Sequence, residues 1–186
     1  VEGQPLQRDG REKIYASSRS LNRAAEAIAH AKSPLILVGN GIIRADAAEA
    51  LTDFATQLNI PVVNTFMGKG AIPYTHPLSL WTVGLQQRDF VTCAFEQSDL
   101  VIAVGYDLIE YSPKRWNPEG TTPIIHIGEV AAEIDSSYIP LTEVVGDIGD
   151  ALNEIRKRTD REGKTAPKFL NVRAEIREDY ERHGTD

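Results

Sequence analysis

With 186 residues, 41% of them hydrophobic, the chain can bury one sizeable core and is short for two. Its formal net charge of -7 and pI near 5.2 argue against a nucleic-acid or anionic-membrane partner, because both need clustered Lys and Arg and no basic stripe is visible. The single cysteine, Cys93, cannot close an internal disulfide, and no apolar run approaches the roughly 20 residues that span a bilayer, so a cytoplasmic protein is expected.

Residues 1–16 hold Gly3, Pro5 and Gly10 without any period and read as an incoming linker; the chain opens on Val1 rather than Met, as a piece of a longer protein would. Ser17, Ser18 and Ser20 offer a cap for a helix carrying Leu21, Ala24, Ala25, Ile28 and Ala31 on one face. The run from Pro34 to Val38 is a strand that closes in Gly39, Asn40 and Gly41. Asp46 with Glu49 resembles a capping box for a helix bearing Ala47, Leu51, Phe54, Ala55 and Leu58. Pro61, Val62 and Val63 form a short second strand, after which Asn64 to Gln86 reads as irregular. Asp89 starts a helix with Phe90, Val91, Ala94 and Phe95 on its inner face and Cys93 as a buried structural thiol.

Leu100 to Val104 is the most continuous apolar run of strand length, as a parallel strand covered on both faces requires, and Gly105 ends it. Tyr106 to Gly120 then has no helical period and contains Pro113 and Pro118; a connection this long is expected to be functional or to pack on something outside the chain. Its aromatics Tyr106, Tyr111 and Trp116 are taken as exposed anchors for such a contact. Thr122 to Ile127 and Glu143 to Val145 are further strands, and Asp147 caps a helix with Ile148, Ala151, Leu152 and Ile155. Beyond Thr159 the composition turns charged, with Gly163 and Pro167, before a last helix whose Phe169, Val172, Ile176 and Tyr180 fall on one side. That stripe suits another domain or subunit, or a return onto its own sheet. The alternation predicts an α/β fold: a doubly wound, mostly parallel sheet of five or six strands with helices on both faces, spanning residues 17–159, with 160–186 as outgoing linker and helix.

In such a sheet a ligand sits beyond the carboxyl ends of the strands. Gly39, Asn40, Gly41, Thr65, Gly105 and Asp147 therefore make a candidate nucleotide cleft, although Gly39-Asn40-Gly41 lacks the third glycine of a dinucleotide fingerprint and the second strand ends without an acidic residue for a ribose. His126 lies inside an apolar strand and reads as a satisfied core histidine, while His30, His76 and His183 stand on polar or Pro-rich stretches. No His, Cys or carboxylate set has metal-ligand spacing, and no nucleophile has an adjacent base. The chain alone thus offers no catalytic and no metal residues. A stand-alone FAD- or ADP-binding module remains one reading.

The order of segments resembles the central domain of thiamine diphosphate-dependent enzymes, and most closely that of acetolactate synthases. The resemblance rests on SPLILVGNG, the IPVVNT strand with Gly68 and Gly70, EQSDLVIAVGYDLIEYSPKRWN, IIHIGEVAAEIDSSYIP and EVVGDI, and covers Ser33 to Leu152. The GYDLIEYSPKRWN stretch is similar to the catabolic, butanediol-pathway type, where the biosynthetic, branched-chain amino acid type carries Arg-Phe-Asp-Asp-Arg. It implies a homo-oligomeric parent, dimer or tetramer, that joins two pyruvates to 2-acetolactate and CO2 on thiamine diphosphate and Mg2+, both held by flanking domains outside this chain. Gly146-Asp147-Ile148-Gly149 looks like the family's diphosphate motif but has no asparagine at the required distance. FAD is expected to be absent: where the biosynthetic type has an arginine this chain reads Tyr106-Asp107-Leu108, and where it has an aspartate this chain reads Gly128-Glu129. The remaining alternative is another thiamine diphosphate-dependent 2-oxo acid decarboxylase or carboligase.

Overall fold

The computed structural model describes residues 12–84, 91–161 and 167–183. Within them the chain forms α1 (Ser18–His30), β1 (Pro34–Val38), α2 (Gly41–Arg44), α3 (Ala48–Leu58), β2 (Val62–Asn64), β3 (Ser79–Thr82), α4 (Thr92–Glu96), β4 (Leu100–Val104), a 3-10 turn (Pro113–Arg115), β5 (Ile124–Gly128), β6 (Thr142–Val145), α5 (Ile148–Arg158) and α6 (Pro167–His183). The six strands are all parallel, in the order β3-β2-β1-β4-β5-β6. Every residue of β1, β4 and β5 is buried, which is why these segments could be continuous apolar runs without alternation.

The two faces of the sheet are covered differently. One face, with Ile36, Val38, Val62, Ile102, Val104, Ile125, Ile127 and Val144, is roofed by the apolar stripes of α1, α3 and α5, as the helical periods require. Ser17 caps α1 by accepting from the Ser20 amide at 3.1 Å, and Asp147 caps α5 by accepting from the Asp150 amide at 2.8 Å. The other face, with Leu35, Leu37, Val63, Leu80, Val101, Ala103 and Ile124, is covered by the short α4, the connection after β4, Tyr138 and the first turns of α6.

Four expectations are corrected here. Tyr106, Tyr111 and Trp116 are not exposed anchors: they retain only 5%, 9% and 5% of their accessible surface. They fill the second core, with Trp116 against Phe95 at 5.2 Å and Tyr106 against Tyr138 at 5.5 Å between ring centroids. The chain between β4 and β5 replaces a crossover helix with a loop whose aromatics supply the missing apolar cover. Second, SLWT within the supposedly irregular 64–86 stretch is the edge strand β3, hidden by flanking Gly and Pro. Third, Asp46 does not cap α3. It sits at φ +52 in the turn out of α2, and Ala47 takes the N-cap position without a side-chain bond. Fourth, Cys93 is only half-buried, because the five-residue α4 turns it off the inner face that Ala94 and Phe95 occupy.

Phe169 and Val172 of α6 pack into the second core beside β3 and α4, so this end of the helix folds back on its own sheet. Arg173 fastens it by donating to the Pro77 carbonyl at 2.6 Å. The side chains of Ile176 and Tyr180, the start of the helix at Asp89 and Phe90, and residues 1–11 and 162–166 lie outside the described residues.

Candidate functional site

The strand order reverses between β1 and β4, so the crevice of a doubly wound sheet lies beyond Val38 and Val104. Five of the six candidate cleft residues meet there. The Gly39 amide donates to the Val104 carbonyl at 3.0 Å, the Gly41 amide to the Gly105 carbonyl at 2.8 Å, and the Thr65 amide to the Val38 carbonyl at 2.9 Å. Asp147 stands apart in its bonding. Its partners are the Asp150 amide, the Lys13 ammonium at 3.0 Å and, through its own amide, the Ile14 carbonyl.

Backbone packs closely where the two strands exit. A Cβ on Gly39 would come within 2.6 Å of the Gly105 carbonyl oxygen and 2.7 Å of the Tyr106 Cα, and one on Gly41 within 2.6 Å of the Gly105 Cα. Gly105 itself takes φ +55, and a Cβ there would meet the Ile42 amide nitrogen at 2.5 Å. These glycines serve the mutual approach of two strand exits, a use of glycine that a ligand-binding reading of the sequence does not distinguish from its own.

Glu110, which sequence reasoning passed over, completes the site. Its carboxylate accepts from the Asn40 amide at 3.0 and 3.1 Å and from the Thr65 hydroxyl at 2.5 Å. Thr65 in turn accepts from the Gly68 amide at 3.0 Å, which fixes the direction of its hydroxyl proton. Glu110 Oε1 lies 2.9 Å from where a Gly39 Cβ would be. The available signal was a lone acidic residue in an apolar and aromatic stretch, Leu108-Ile109-Glu110-Tyr111, but it stands beyond the residues that immediately follow the strand.

His126 is the core histidine its strand context implied: it is buried, Nδ1 lies 2.9 Å from the Tyr138 hydroxyl and Nε2 lies 3.1 Å from the Val130 carbonyl oxygen. Burial lowers its pKa and raises that of Tyr138, so at neutral pH both are uncharged. Tyr106 is likewise raised by burial, and its hydroxyl donates to the Tyr111 carbonyl. Among the described residues no group of three or more His, Cys, Asp or Glu could hold a metal ion. Asp147 caps α5 and pairs with Lys13, which gives Gly146-Asp147-Ile148-Gly149 the role of strand exit and helix cap.

These features describe a packed α/β scaffold, and its fold and sequence have counterparts among known proteins. Residues 21–155 match the model of the thiamine pyrophosphate enzyme central domain. Acetolactate synthase of Bacillus subtilis is 34% identical over 141 residues, covering 75% of this chain and 25% of that protein. The acetolactate synthase large subunit of Corynebacterium glutamicum is 33% identical over 145 residues, covering 76% of this chain and 23% of that one. A solved structure described as a thiamin diphosphate-dependent enzyme from Mycobacterium smegmatis superposes with a TM-score of 0.66 at 26% identity, covering 90% of this chain and 33% of that chain. The chain spans about a quarter of the length of the curated relatives it matches. On this evidence the chain belongs to the thiamine pyrophosphate enzymes, as a central domain of that family.

Proposed function

We propose that this chain is the structural central domain of an acetolactate synthase-like carboligase whose whole form condenses two pyruvates to 2-acetolactate and CO2 on thiamine diphosphate and Mg2+. The observation that carries the reading is the family match over residues 21–155. In this proposal residues 17–159 are the domain, residues 1–16 and 160–186 connect it to flanking domains, and those domains hold the cofactor, the metal and the catalytic groups. The parent is a cytoplasmic homo-oligomer.

The domain carries no FAD in this reading. Asp107 is exposed just beyond β4, where the biosynthetic pattern has an arginine, and Glu110 adds a second carboxylate at the crevice. A guanidinium facing a diphosphate is worth on the order of 1.5–3 kcal/mol, and carboxylates in its place oppose the ligand instead.

A graft tests the proposal. The segment of the Bacillus subtilis relative that aligns with this chain is replaced by residues 17–159, and acetolactate formation from pyruvate is measured with thiamine diphosphate and Mg2+. Activity within roughly tenfold of the parent is expected, since a domain that contributes no reacting group loses only fit at its seams. A graft that folds and assembles but makes no acetolactate would overturn the reading.

A further inference from the structure

We propose that the groove between α1 and the edge strand β6 binds a phosphoryl group, as inorganic phosphate or a small phosphate monoester, between Arg19, Arg23 and Thr142. The groove has a volume of about 280 Å3 and lies on the outer edge of the sheet, two strands removed from β4. Thr142 shares its face of β6 with Val144, which turns its side chain toward α1. It keeps only 6% of its accessible surface and lines the groove, yet among the described residues its hydroxyl has no hydrogen-bond partner. A hydroxyl held at that depth is a donor reserved for an oxygen in the groove. Two guanidiniums supply the charge. Arg23 reaches across to donate to the Leu141 carbonyl at 2.9 Å, which holds it over the groove and leaves the rest of its donor fork open. Arg19, one turn back on the same side of α1, has no ion pair or hydrogen bond among the described residues. The helix is built here against its own electrostatics: its first turn has no acidic residue, and two like charges stand at i and i+4 near the positive end of its dipole. An anion between them reverses both penalties. Ser17 and Ser20 are spent on the cap, the Ser17 hydroxyl accepting from the Ser20 amide and donating to the Ser20 hydroxyl, so they shape the rim. Glu143 also borders the groove, but alternation along β6 turns its carboxylate to the other face, where it accepts from the Ala132 amide at 3.0 Å. A tetrahedral dianion meets both guanidiniums and the hydroxyl at once, which the two oxygens of a planar carboxylate do less fully, and the groove leaves room for a short carbon chain beyond it.

The test titrates the 186-residue chain in phosphate-free buffer with inorganic phosphate, glycerol phosphate and acetate, by calorimetry and by amide NMR shifts. Saturable binding of a phosphoryl ligand with a Kd on the order of 1 mM is expected, with shifts centred on residues 17–23 and 140–143. Thr142→Val and Arg19→Gln should each weaken it roughly tenfold, the value of one hydrogen bond to a charged group, while Thr142→Ser keeps it. Because the Thr142 hydroxyl has no partner among the described residues, Thr142→Val should melt like wild type without phosphate, and phosphate should raise the melting midpoint of wild type more than that of the variant. Tighter binding of glycerol phosphate than of inorganic phosphate would assign the site to an ester, and the reverse order to the free ion; either supports it. The proposal is overturned by a lack of saturation with either phosphoryl ligand up to about 20 mM. It is equally overturned by one affinity shared by wild type and the folded Thr142→Val and Arg19→Gln variants, by a Thr142→Ser variant as weak as Thr142→Val, or by acetate bound as tightly as phosphate.

Discussion

His126 sits beneath Tyr138 with both ring nitrogens in hydrogen-bonding reach of protein oxygens, and burial holds it neutral. Its folded pKa lies below the ordinary 6.5, so the unfolded chain binds more protons in the window just below that value. Stability from this residue is therefore complete above about pH 6.5 and is lost as pH falls through the lowered folded pKa. Urea melts between pH 7 and 5 should show that slope, and it should flatten in His126→Gln; an unchanged slope would mean that other groups carry it. Glycine at the crevice gives a second residue-scale expectation. Gly105→Ala adds a Cβ that meets backbone at 2.5 Å and sits at φ +55, whereas Gly70→Ala at φ +93 meets nothing within 4 Å. The first should cost more than about 3 kcal/mol and the second about 1 kcal/mol, because only the first adds a clash with immovable atoms to the conformational penalty. Similar costs in thermal melts would contradict the close packing of the two strand exits.

Among the elements, the connection from Tyr106 to Pro118 departs most from what its sequence suggests. Two prolines and the lack of a 3.6-residue period were read correctly as excluding a long helix, and the segment keeps only the 3-10 turn. The inference that its aromatics face outward failed because linear pattern carries no information about a loop's inner side. Trp116 packs against Phe95 and Tyr138 and Tyr106 against Tyr138, while Tyr111 shares their core cluster. By contrast β1, β4, β5 and the stripes of α1, α3 and α5 were legible, since burial on two faces or on one face of a helix writes itself as a run or a period. Trp116→Ala should cost about 3–5 kcal/mol, enough to broaden or abolish the unfolding transition of a domain this size. Ile109→Ser, at a side chain 85% exposed, should change stability by less than about 0.5 kcal/mol. If the two variants melted alike, the loop would not be part of the core. Circular dichroism melts follow both in one experiment, since Trp116→Ala removes one of the chain's two tryptophans.

For the whole molecule, a doubly wound parallel sheet followed from the alternation of strands and helices, but the strand order and the bonding of Glu110 did not. Gly39, Asn40, Gly41, Thr65 and Gly105 do converge, and Asp147 instead serves as a helix cap paired with Lys13. What the alternation could not show is that the converging residues are spent on one another and on Glu110, since the sequence distance from Thr65 to Glu110 hides a 2.5 Å hydrogen bond. Among the described residues no group of three or more His, Cys, Asp or Glu could hold a metal, and the buried histidine has a protein oxygen within hydrogen-bonding reach of each ring nitrogen. The measurement that bears most directly on this account is turnover by the purified 186-residue chain, free of host enzyme, with pyruvate, thiamine diphosphate and Mg2+. Acetolactate at the level of a protein-free blank is the expected result; formation clearly above that blank would contradict the assignment of this chain to a scaffolding role.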